Sequence, residues 1–345
     1  MVANLAQAAL WLGTDPVSRA RTGQSPNEVI HRDGKAKVRY FRPREGTSAQ
    51  APLFCVMPLI NTWTVFDLAP GRSVVETLNA QGVPVYILDW GRAGPEDRDT
   101  PLCHYVDRVI GRCLDRACRH AGVPAMNVLG YCVGGTFLAA HLARTDRAQA
   151  RSAFFLATPI DFHASGRLSR WARPESFPLD AIVDGFGNFP RELMQDSFRW
   201  LRPMGLAAKY KGLVDRFPDE GFRELWTALE AWNNDGVDFP GEAYREYVRR
   251  CYFDNALIEG GWLMDGRAVD LACATVPATA VAAGDDHIVP PEAAHALSRR
   301  WGGAVTTGTL KGGHVGVCAG AALPRRIMEW HALPVVAARD SAAAR

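Results

Sequence analysis

The chain has 345 residues, 48% hydrophobic and 22% charged, with a formal net charge of +2. That composition suits a protein with a sizeable core, and the near balance of charge gives no field to draw in nucleic acid. The eight cysteines form no CxxC pair and sit mostly among apolar neighbours, so they read as reduced thiols of a cytoplasmic protein, not as a disulfide framework.

Residues 1–34 read as a helical or coil segment. No basic residue precedes the apolar stretch of MVANLAQAALWLGTD, which argues against a secretory signal. No apolar run reaches the roughly 20 residues of a membrane span. Lys35 to Arg42 alternates and predicts an edge strand. Short apolar runs follow at Leu53–Ile60, Val83–Asp89, Met126–Tyr131 and Ala153–Thr158, separated by helical patterns near 72–80, 104–121 and 134–145. Buried strands alternating with helices predict a mostly parallel sheet with crossover helices. The arginines from Arg108 to Arg119 alternate with apolar residues, as on the solvent face of a helix.

The alternation stops near Asp161. Residues 163–268 hold five of the ten tryptophans and helical stretches near 190–213 and 218–233, which predicts a packed cap, not a linker. The pattern resumes with a strand at Thr279–Ala283, a helix from Pro291 to Trp301, a strand at Val305–Leu310 and a helix near 320–331. The expected division is a core of 35–162 and 269–335, a cap of 163–268, and a disordered tail of 336–345.

The sharpest chemical signal is Gly130-Tyr131-Cys132-Val133-Gly134-Gly135, between the apolar strand NVLGY and the helical TFLAAHLA. Strand, tight turn and helix are the context of a nucleophile elbow, where small residues let strand and helix approach. The Cys132 sulfur then stands at a helix N-terminus that favours thiolate, and the Val133 N–H becomes an oxyanion donor. A second donor is expected from the loop after LFCVMPLI, with Ile60 N–H as the candidate. A nucleophile needs a base, and the base an orienting acid. GDDHIVPP and KGGHVGV each follow a strand directly, where open α/β sheets place their sites. Asp286 is therefore preferred over Asp285 as acid, and His314 over His287 as base. The fold class is α/β, an α/β-hydrolase fold with a helical cap insertion. No HExxH, GxxxxGK[ST] or strand-following GxGxxG occurs, so neither a metal nor a nucleotide cofactor is called for.

With these residues the chain resembles the polyhydroxyalkanoate synthases, which polymerise (R)-3-hydroxyacyl-CoA. The matching segments are PLINTWTVFDLAPGRSVVETL (58–78), VYILDWG (85–91), NVLGYCVGGTFLAAHLA (127–143), ATPIDF (157–162), AWNNDGVDFPGEAYREYVRRCYFDNAL (231–257), GDDHIVPP and GGHVGV. The length resembles the short catalytic subunits of two-subunit synthases, while CVGGT and WNND resemble the long type. The resemblance implies an acyl-cysteine at Cys132, with Asp286 and His314 as acid and base. It implies CoA as part of the substrate and as product, a growing polyester chain, a homodimer, an accessory synthase subunit as partner, and a place at the surface of polyester granules. The alternatives are an intracellular polyhydroxyalkanoate depolymerase or acyl-CoA thioesterase of the same fold, and a non-catalytic granule-binding relative.

Overall fold

The computed structural model describes residues 2–145, 149–164 and 166–332. The tail expected at 336–345 lies outside them. The described residues form ten strands: β1 (Glu28–Asp33), β2 (Ala36–Phe41), β3 (Leu53–Val56), β4 (Val85–Asp89), β5 (Met126–Tyr131), β6 (Ala150–Leu156), β7 (Leu263–Met264), β8 (Arg267–Ala268), β9 (Ala278–Ala283) and β10 (Val305–Leu310). Eight of them make one sheet in the order β1-β2-β4-β3-β5-β6-β9-β10. From β4 across to β10 every pair is parallel, while β1 and β2 join antiparallel.

The central strands carry side chains that suit burial on both faces. Every residue of β3, β5 and β9 is buried. β9 reads ATAVAA, and its small side chains let neighbouring layers pack close. The helix Ile110–Ala121 buries Ile110, Cys113, Leu114, Ala117 and Cys118, one face at helical spacing, and turns Arg112, Arg116 and Arg119 to solvent. It ends at Gly122, whose φ of 69° makes a left-handed cap.

Three expectations need correction. The strand at Lys35–Arg42 is not an edge: β1, inside the segment expected to be helix or coil, pairs outside it through a tight turn at Gly34, φ 60°. The pattern at 104–121 is not one α-helix, since His104–Val109 winds with the wider π period before the α-helix starts. The stretch at 190–213 is two helices, Arg191–Leu201 and Gly205–Asp215, broken at Pro203, which cannot continue a helix.

Between β6 and β9 the chain runs through helices from Gly166 to Glu259 and then the β7–β8 ribbon. This helical stretch is tied to the sheet at a few defined points. Asn255, left-handed at φ 50° and 1% exposed, donates to Asp161 Oδ1 (3.0 Å) and accepts from Phe162 N–H (2.9 Å). Arg299 pairs with the other oxygen of Asp161. The indole of Trp232 donates to the Thr62 carbonyl (2.9 Å), and Val237 N–H to that of Ile60 (3.0 Å). The WNND region thus fixes the loop that follows β3.

Candidate active site

The turn after β5 is shaped by close approach. A Cβ on Gly130 would meet Gly135 Cα at 2.4 Å, one on Gly134 the carbonyls of Met57 (2.3 Å) and Val56 (2.5 Å), and one on Gly135 Thr158 Oγ1 at 2.0 Å. Only hydrogen fits at these three points. Between them Cys132 is held at φ 52°, ψ −132°, a conformation unusual for a residue with a side chain. It is the N-cap of the buried helix Val133–Arg144. Its carbonyl accepts from Gly135 N–H (2.9 Å) and Thr136 N–H (3.2 Å), which leaves the N–H groups of Val133 and Gly134 outside the intrahelical pattern.

His314 and Asp286 lie just past β10 and β9, and the structure brings them together. His314 Nδ1 is 2.6 Å from Asp286 Oδ2. Asp286 Oδ1 accepts from the N–H groups of Ile288 (2.8 Å) and Val289 (2.9 Å), so the carboxylate is fully engaged in a side chain with no exposure. The His314 ring and the Cys132 side chain line the same narrow hollow. Burial pulls the His314 imidazole toward neutrality, but the electrostatic pull of Cys132 and Asp286, with the hydrogen bond to Asp286, outweighs it and holds its pKa well above the ordinary value.

The competing residues fall elsewhere. Asp285 is exposed, and its side chain does not cap the helix at Pro291, whose N-cap is Pro290. His287 is half-buried and turned to an outer cleft beside Arg202. Burial first, and the nearby cations, lower its pKa. Ile60 lines both hollows that open on Cys132. Tyr131 escaped notice as the variable residue of the motif. Its ring stacks on His314 at 5.4 Å and 27°, and its hydroxyl donates to the His314 carbonyl at 3.0 Å. Nothing local in the sequence marks that contact, which spans 183 residues.

Three hollows meet at this point. An apolar chamber of about 180 Å³ opens on Cys132 and Val133 and is walled by Phe177, Phe189, Phe239 and Tyr247. A narrower passage of about 80 Å³ holds Cys132 and His314 with Asn61, Gln195 and Asn233. It shares Phe198, Trp232, Asn233 and Val315 with an outer cleft of about 700 Å³, which also carries Arg199, Arg202 and Lys209. Among the described residues no group of three or more acidic, His or Cys side chains could hold a metal ion, and no helix is long and apolar enough to cross a membrane.

The α/β hydrolase fold family matches residues 66–318. The chain is 34% identical to the poly(3-hydroxyalkanoate) polymerase subunit PhaC of Allochromatium vinosum over 302 residues, 86% of this chain and 84% of that one. It is 33% identical to the subunit of the same name from Haloferax mediterranei over 281 residues, and there spans 57% of the relative's length. Among solved structures, a hydrolase from Pseudomonas aeruginosa superposes with a TM-score of 0.53 at 13% identity, covering 90% of this chain and all of that one, a likeness of fold alone. A sheet of this order and relatives of this identity agree: the chain belongs to the poly(3-hydroxyalkanoate) polymerase family of α/β-hydrolase fold proteins.

Proposed function

We propose that the protein polymerises (R)-3-hydroxyacyl groups from CoA thioesters through an acyl intermediate on Cys132. The observation that carries this reading is that Cys132, at the mouth of an apolar chamber, shares a narrow hollow with a hydrogen-bonded His314–Asp286 pair. In the first step the thiol proton passes to His314, and the thiolate attacks the thioester carbonyl. The oxyanion takes hydrogen bonds from the N–H groups of Val133 and Ile60. The carbon–sulfur bond to CoA breaks, and the departing sulfur takes the proton from His314. In the second step the hydroxyl of a second hydroxyacyl unit gives its proton to His314 and attacks the acyl-cysteine. An ester forms, and Cys132 leaves as thiolate.

The choice of cysteine suits a repeated exchange, since thiolate is both nucleophile and leaving group. The chamber walls keep water from the acyl-enzyme, which separates transfer from hydrolysis. CoA is substrate and product here, and the mechanism calls on no cofactor. The reading includes a second copy of the chain and an accessory synthase subunit as partners, a cap of 163–268 over the core, and action at the surface of polyester granules in the cytoplasm.

The test is incubation of the purified protein with 3-hydroxybutyryl-CoA, following CoA release and product together. Insoluble polyester formed in step with CoA supports the reading. Free 3-hydroxybutyrate in its place would make the protein a thioesterase.

A further inference from the structure

The chamber beside Cys132 is lined mainly by hydrocarbon, yet five of its side chains besides Cys132 bear a polar group: Trp171, Ser197, Tyr244, Tyr247 and Tyr252. Two of these sit together. Tyr247 ends the helix Gly241–Tyr247, and Tyr252 lies in the π-helical turn Val248–Phe253. In an α-helix, residues five apart point about 140° away from each other. The wider π turn brings them to the same side, and their rings meet edge to face at 5.8 Å. Such turns often mark functional sites.

Phe162 holds both rings, at 5.7 Å from Tyr247 and 4.9 Å from Tyr252, and Phe137 and Phe239 pack on Tyr247. The rings are caged, both line the chamber, and each phenol feels the other. Burial keeps both phenols protonated, and the charge of Cys132 reaches both. Tyr244 differs, lying flat on Phe189 at 4.2 Å and 13°.

Two neutral phenols offer two O–H donors and four lone pairs. Even with one O–H turned to the other oxygen, a donor and several lone pairs would remain. Apolar walls make those leftovers costly unless a ligand oxygen satisfies them. C3 of an acyl group on Cys132 lies two carbons from the thioester carbonyl, so its oxygen stays close to the sulfur. We infer that Tyr247 and Tyr252 together bind the C3 oxygen of the acyl unit, so that the site distinguishes a 3-hydroxyacyl thioester from an unsubstituted one. This rests on the acyl-cysteine reading and adds to it the feature of the substrate that is read. A site built to hydrogen-bond a substrate hydroxyl discriminates strongly against the analogue lacking it.

The test compares 3-hydroxybutyryl-CoA with butyryl-CoA. In Cys132→Ala protein, which binds without turnover, the hydroxylated thioester should bind at least about tenfold tighter. Adding Tyr247→Phe or Tyr252→Phe should bring that ratio close to one. In protein that retains Cys132, the ratio of first-turnover kcat/KM values for the two thioesters should fall by a similar factor. Equal affinities in Cys132→Ala protein, or a ratio untouched by either phenylalanine, would overturn the inference. Two single variants guard against one failing to fold. The parent reading fails separately, if protein with Cys132 is acylated by neither thioester. The binding ratio still judges the tyrosines in that case.

Discussion

Replacing Asp286 by asparagine changes one atom and should disable the site. The amide that replaces the carboxylate can still accept at Oδ1 from Ile288 and Val289, now bonded at 2.8 and 2.9 Å, so the loop keeps its shape. What changes is the atom facing His314 Nδ1 at 2.6 Å, which turns from acceptor into N–H donor. Nδ1 must then present a lone pair and the ring proton moves to Nε2, toward Cys132. An imidazole in that tautomer cannot take the thiol proton. The imidazolium also loses a charged hydrogen bond in a side chain 8% exposed, where screening by water is weak. Locking a triad in the wrong tautomer costs about 10⁴-fold in turnover, or about 5.4 kcal/mol of barrier. The assay is rapid-quench CoA release from 3-hydroxybutyryl-CoA, with alkylation of Cys132 by iodoacetamide measured in parallel. Both rates should collapse while the thermal midpoint moves only slightly. A loss of CoA release below about tenfold would refute the reasoning, because it would show that Cys132 is activated without this pair.

Gly134→Ala should destabilise the protein by about 2–3 kcal/mol, since its Cβ would meet two backbone carbonyls at 2.3 and 2.5 Å that cannot give way as side chains do; urea unfolding checks this, and wild-type stability would contradict it. The His314 ring should stay protonated well above its ordinary value of 6.5, because the electrostatic pull of Cys132 and Asp286 outweighs burial. NMR titration of the ring nitrogens should show that, with the midpoint falling in Cys132→Ala protein. Because the folded pKa lies above the unfolded one, this interaction stabilises the fold fully below about pH 6.5 and fades as pH rises through the folded value. The stability gap between wild type and Asp286→Asn should therefore narrow in alkaline buffer.

The parts of the fold that are local in sequence could be read from it. β5 and β10 fall where apolar runs end at turn residues, and the helix Val133–Arg144 starts one residue from its expected place. Cys132, Asp286 and His314 share a simple mark: each lies at or just past the C-terminal end of a strand of the sheet. β1 was missed because EVIHRD shows no buried face, with every residue intermediate or exposed, although Asp33-Gly34 is a hairpin signal. The π turns at 104–109 and 248–253 were missed because apolar spacing reports a 3.6 period and cannot see an i→i+5 closure. The pairing of Tyr247 with Tyr252 was hidden for that reason. The tie from Asn255 to Asp161 joins residues 94 apart, a distance no local pattern reports.

The central claim is that the acyl group is carried by one sulfur. Protein mixed with 3-hydroxybutyryl-CoA, quenched in acid within the first turnover and digested, should yield a single peptide heavier by one hydroxybutyryl group, with fragmentation locating it at Cys132. CoA released with the adduct on any other residue, or with no adduct trapped at any time, would contradict the account.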